Sequence, residues 1–166
     1  MMTTVPSVYI SGALTAVADL QAARAYYESL ADVCRVNGLE PTLPHLYASP
    51  DEHRDLPAEL VYSQDLENIV SAAIVLAHVG APSLGVGAEL AIAAHEEIPI
   101  VALSRPGETV SRFLLGLLRR AQAHELIASD QVLTVELPPI LHQALAEYRA
   151  RKDQPPSTCH WFKETP

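Results

Sequence analysis

Short apolar runs alternate along the chain with stretches whose apolar residues recur every three or four positions. The first kind suits strands buried on both faces, and the second suits helices with one buried stripe. Val8-Tyr9-Ile10 predicts a first strand, stopped by Ser11-Gly12. Leu20, Ala23, Tyr27, Leu30 and Val33 share helical spacing, which predicts a helix over 19–37 with Asp19 as N-cap and Gly38 as stop. Leu39 to Leu43 reads as a weaker second strand. The segment 44–57, holding Pro44, Pro50 and Pro57, reads as a long loop, a length that is often functional. Helical spacing resumes over 58–72, and Ile74 to Val79 is a buried-strand run. A further helix runs to about Glu96, and Ile98 to Leu103 predicts a fourth strand. Beyond the turn Ser104-Arg105-Pro106-Gly107, the pattern predicts a helix over 108–122 and a last strand over Val132–Leu137. A last helix is expected over Ile140–Lys152, then a polar tail over 153–166. This rhythm implies parallel strands joined by crossover helices, an α/β domain over 1–152 with a five-stranded doubly wound sheet. Ligands are then expected at the carboxyl ends of the strands, near a topological switch.

Composition narrows the partners. The 166 residues suit one domain, and with 49% apolar and 19% charged residues the balance is that of a soluble globular protein. No apolar run approaches the roughly 20 residues a membrane crossing needs, and the start lacks the basic flank of a secretory signal. Cys34 and Cys159 lie far apart without CxxC spacing, which fits a reducing compartment. A cytoplasmic protein with no membrane partner is the expectation. The net charge of −9 argues against a nucleic-acid backbone as partner. Free nucleotides stay open, because a local pocket can oppose the global charge. His45, His53, His78 and His95 show no ligand spacing, so no metal is expected. His78, inside an apolar run, reads as a core histidine, and Cys34 as packing.

The stretch with candidate chemistry is Pro82-Ser83-Leu84-Gly85-Val86-Gly87-Ala88-Glu89-Leu90, after the third strand. Leu90 stands where a dinucleotide fingerprint needs its third glycine, and no Gly-Lys-Ser/Thr follows as a P-loop requires. One reading gives the glycines a tight turn into a helix, with Glu89 an ordinary first-turn acid. The position favours another: both glycines permit close backbone approach to a ligand, and a carboxylate at a helix mouth is expected to be held ionised. Such a group suits attack on an anomeric carbon, chemistry that also wants a second carboxyl to protonate the leaving group. Asp65, in the helix over 58–72, is the candidate, and Tyr9 stands beside the end of the first strand.

Tyr9-Ile10-Ser11-Gly12, Gln64-Asp65-Leu66-Glu67 and the nine residues 82–90, in that order, resemble the nucleoside 2-deoxyribosyltransferase superfamily. Within it the resemblance is nearest to the 2'-deoxynucleoside 5'-phosphate N-hydrolases, and Arg105-Pro106 and Ser111 fit the same pattern. The likeness implies a Rossmann-like (flavodoxin-like) fold, a homodimer, and hydrolysis of the N-glycosidic bond of a nucleoside 5'-monophosphate or nucleoside, with no cofactor. It makes Glu89 the nucleophile on C1', Asp65 the proton donor to the base, and Tyr9 the neighbour of both sugar and nucleophile. Ser11 and Gly12 fall among its substrate-binding positions, and His45 follows the second strand, where a base-binding side chain could lie. Ser83 and the amides of Gly85 and Gly87 would hold the phosphate, helped by Ser111 of a neighbouring subunit. Phosphate-hydrolysing members carry an arginine in the loop after the first strand; here the loop is Ala13-Leu14-Thr15-Ala16-Val17, leaving Arg105 or Arg112 to supply charge. Two alternatives stand beside hydrolysis: a deoxyribosyltransferase exchanging bases, and a non-catalytic nucleotide-binding module.

Overall fold

A computed structural model describes residues 5–15 and 17–153, so of the expected tail only Asp153 is described, and Cys159 lies outside the described residues. The strands are β1 (Ser7–Ser11), β2 (Glu40–Thr42), β3 (Ile74–His78), β4 (Ile100–Ser104) and β5 (His124–Ile127). The helices are α1 (Leu20–Val36), α2 (His45–Ala48), α3 (Ala58–Ser71), α4 (Leu84–His95), α5 (Arg112–Arg120) and α6 (Leu133–Lys152). All strands are parallel, in the order β2-β1-β3-β4-β5. The expected five-stranded doubly wound α/β sheet is therefore the one observed. No helix among the described residues is long and apolar enough to cross a membrane.

Alternation along each strand sends successive side chains to opposite faces. Val8, Ile10, Ile74, Leu76, Val101 and Leu103 pack toward α1 and α6. Tyr9, Val75, Ala77, Ile100 and Ala102 face the other way and pack with Ile69 of α3, Leu90 of α4 and Leu118 of α5. Each fully buried leucine, such as Leu30, Leu76 or Leu90, contributes roughly 1.5–3 kcal/mol by leaving water. The first helix starts as its sequence implies: the Asp19 carboxylate accepts from Ala22 N at 2.9 Å. It stops at Gly38, whose φ of +73° suits glycine and strains other residues.

One expected element is replaced. Val132–Leu137 belongs not to a strand but to the start of α6. Leu133, Leu137, Leu141, Ala144 and Leu145 are its buried residues, and that helical spacing outweighs Pro138 and Pro139, which remove two of its amide donors. The fifth strand is His124–Ile127, an edge strand with alternating exposure and little apolar signal. The long loop also differs, since it contains the short helix α2.

The loops at the carboxyl ends of the strands brace one another. The Tyr27 ring lies where a Cβ at Gly12 would be, 2.2 Å from it, and its hydroxyl donates to Ala13 O at 3.0 Å. Gly12 therefore has a packing reason to be glycine. Glu108 closes over Gly80 in the same way and accepts from Arg105 N at 2.7 Å. His78 is buried with its Nε2 2.9 Å from Glu108 Oε2, as expected of a satisfied core histidine. Cys34 is buried in the α1 packing, which pushes its thiol up to about 12.

Candidate active site

The strand order reverses its winding at β1, so the crevice for a ligand lies where β1 and β3 end. Tyr9 and Ser11, two residues apart, share the strand face that looks toward α3 and α4. From α4, Glu89 comes up to meet them: the Ser11 hydroxyl donates to Glu89 Oε2. From α3, Asp65 and Asn68 project together, being one turn apart. The Tyr47 hydroxyl, carried by α2, donates to Asp65 Oδ1 at 2.7 Å and accepts from Asn68 Nδ2 at 3.0 Å.

Tyr9 completes the cluster. Its ring is fully buried, and its hydroxyl has no partner of hydrogen-bonding geometry. Glu89, Asp65 and Tyr47 nevertheless lie within its electrostatic reach. Burial and those acidic neighbours hold the phenol far above its usual value, so Tyr9 is a neutral O–H. With both carboxyls beside it, that hydroxyl can donate to whichever of them is charged.

Both carboxyls are held above the ordinary carboxylate range. For Glu89 burial is the chief cause, with the negative charge of Asp65 adding to it; the Ser11 and Tyr9 hydroxyls oppose the rise. For Asp65 burial again leads, opposed by the Tyr47 and Tyr9 hydroxyls. This corrects the expectation that a helix mouth keeps Glu89 ionised. The mouth is Ser83, the N-cap, whose Oγ accepts from Val86 N at 3.3 Å. Leu84 opens the helix, so Glu89 stands in its second turn, where burial outweighs the dipole.

The glycine motif has a different use from a tight turn. Neither Gly85 nor Gly87 has a positive φ. A Cβ on Gly85 would make only ordinary contact with Ser83 Oγ and Glu89 Oε1, at 3.7 and 3.8 Å, while Gly87 faces open space. Ser83, Gly85, Gly87, Ser111 and Thr15 line one cleft of about 670 Å³ between α4 and α5. No charged side chain lines it among the described residues. At its walls Leu84 and Phe113 are 96% and 86% exposed.

The other sequence candidates stand apart from the carboxyls. His45 is buried with its Nε2 2.9 Å from Glu28 Oε1 on α1. Arg105 is engaged: it is hydrogen-bonded to Asp130 at 2.8 and 3.3 Å and lies 3.9 Å over the Tyr26 ring. Arg112 is the exposed first residue of α5. The structure adds Tyr47 and Asn68, which the sequence reading missed. Asn68 carried one signal, its place one turn beyond Asp65. Tyr47 carried none, since only the path of the 44–57 segment brings it to α3.

Residues 8–138 match the nucleoside 2-deoxyribosyltransferase family. A Methanosarcina barkeri protein that carries the name 2'-deoxynucleoside 5'-phosphate N-hydrolase 1 is 27% identical over 114 residues, covering 67% of this chain and 69% of its own. The solution structure of BlsM superposes with a TM-score of 0.67 at 22% identity, over 93% of this chain and 98% of that one. The CMP N-glycosidase BcmB of Clostridium botulinum superposes with a TM-score of 0.60 at 18% identity, over 79% of this chain and 96% of that one. These two share the fold. With most of its length matched and the carboxyl pair gathered at the switch point, the chain belongs to the nucleoside 2-deoxyribosyltransferase family.

Proposed function

We propose that this enzyme hydrolyses the N-glycosidic bond of a nucleoside or nucleoside 5'-monophosphate through a covalent glycosyl ester on Glu89. The observation that carries the reading is the convergence of Glu89 and Asp65 on one buried Tyr9 hydroxyl. Two carboxyls in one dry site resist double ionisation, so together they hold one proton. Ionised Glu89 attacks C1' of the sugar while protonated Asp65 gives its proton to the departing base, and the bonding electrons leave with the base nitrogen. Asp65, now a carboxylate, takes a proton from water, and the resulting hydroxide equivalent cleaves the ester and frees Glu89. Tyr9 donates to whichever carboxyl bears charge, and Ser11 holds the orientation of Glu89.

The two relatives that act on nucleotides, by their names, support a monophosphate as one substrate form. Gly87 N is taken by Ser83 O at 3.2 Å, so the N–H groups of Leu84 and Gly85 at the start of α4, with the hydroxyls of Ser83 and Ser111, would meet the 5' end of the substrate. A second copy of the chain packs over Leu84 and Phe113, walling the cleft and bringing its own Ser111 near. The test is Glu89→Ala, assayed by free-base release: the account requires a folded protein without turnover. Substantial base release by that variant would refute it.

A further inference from the structure

The segment 44–57 has a structural tie to the proton donor. Arg24 of α1 clasps it, donating to Ser49 and Asp51 and, at 3.3 Å, to Glu52. The pairing of His45 with Glu28 fixes its beginning to the same helix. Between these anchors α2 presents Tyr47 to α3.

The hydrogen bonds there run from Asn68 through Tyr47 to Asp65. The Asn68 Nδ2 amide can only donate, so the Tyr47 oxygen accepts from it at 3.0 Å. The single Tyr47 proton is then free for Asp65 Oδ1 at 2.7 Å. With Oδ1 accepting, the proton that Asp65 carries sits on Oδ2. We infer that Tyr47 is a positioning residue for the proton donor: backed by Asn68, it occupies Asp65 Oδ1 and makes Oδ2 the oxygen that protonates the leaving base. The inference rests on the role of Asp65 given above.

The arrangement also changes strength during the reaction. As the Oδ2–H proton passes to the base nitrogen and the C1'–N bond breaks, negative charge appears on the Asp65 carboxyl. A hydrogen bond to a carboxylate is stronger than one to the neutral acid, so the Tyr47 donor stabilises the group as it gives up its proton. Tyr47 thus makes Asp65 a readier acid than burial alone would leave it.

Tyr47→Phe keeps the ring and removes the donor. For a natural nucleoside, kcat is expected to fall about tenfold with KM little changed. The high-pH limb of the kcat profile should move to higher pH, because Asp65 loses a group that favours its ionised form. A substrate whose leaving group needs no protonation, such as a nitrophenyl 2-deoxyriboside, should lose much less rate. Asn68→Ala should shift the limb in the same direction by a smaller amount. A merely structural role would slow both substrates alike and leave the limb in place, and that result, or a limb moved to lower pH, overturns the inference. Asp65→Asn in the same assays separates the two levels. If it is crippled while Tyr47→Phe behaves as wild type, only the positioning role falls. If Asp65→Asn itself releases base normally, the reading of Asp65 falls and this one with it.

Discussion

The Ser11 hydroxyl donates to Glu89 Oε2, tying the last residue of β1 to the second turn of α4. This bond aims the carboxylate and favours its ionised form against the burial that surrounds it. Ser11→Ala should lower kcat about 10- to 100-fold, the worth of one hydrogen bond to a charged group. Steady-state base release measures it. An unchanged kcat would remove Ser11 from the site.

Asp65→Asn should reduce kcat by about 10²- to 10⁴-fold, the usual contribution of a placed proton donor. The same substitution should not destabilise the protein. The folded state raises the Asp65 value above its unfolded one, so it binds more protons than the unfolded chain in the interval between them. The stability from this group is complete below the unfolded value and is lost as pH rises through the raised folded value. At neutral pH the asparagine variant should therefore melt at or above the wild-type temperature, with the gap closing toward pH 4. A gain of 1 kcal/mol would read as about 2–4 °C. Thermal melts across that interval give the sign.

The pH–rate profile should be bell-shaped, with both limbs above the ordinary carboxylate range of about 4. Activity falls as pH drops through the lower step of the coupled pair, where the second carboxyl takes up a proton, and falls again as pH rises through the upper step, where the shared proton is lost. Both values are raised by burial, so the acid limb should lie higher than a solvated glutamate would give. The profile of kcat/KM checks this, and full activity maintained below pH 4 would contradict it.

Phe113→Glu should separate the subunits and lower specific activity together. The exposed ring lines the cleft that holds Ser83, Gly85, Gly87 and Ser111, so in the proposed dimer loss of the second copy would open that cleft to water. Sedimentation and base release on the same samples test the coupling. Separated subunits with undiminished activity would show that one chain suffices.

Much of this was legible in the residues. Asp19 and Gly38 mark the ends of α1 through cap chemistry that is local, and β3 and β4 are apolar runs that nothing else explains. The place of Tyr9 follows from strand alternation, and those of Asp65 and Glu89 from the helical spacing of α3 and of the helix after β3. What sequence alone hid was non-local. Edge strand β5 buries too little to announce itself, while Val132–Leu137 imitates a strand until its neighbours at Leu141 and Ala144 continue the helical stripe. The raised value of Glu89 was not legible, because its depth beside Tyr9 and Asp65 depends on three separate elements. Tyr47 was missed for the same reason, since its bond to Asp65 spans 18 residues.

The central claim is a covalent bond between Glu89 and the anomeric carbon, and rapid quenching during turnover tests it most directly. Mass spectrometry of the quenched enzyme should show one added glycosyl group per active chain, mapped to the peptide containing residue 89 and absent in Glu89→Ala. A quenched enzyme in mid-turnover with no adduct, or with the sugar on any other residue, would contradict the account.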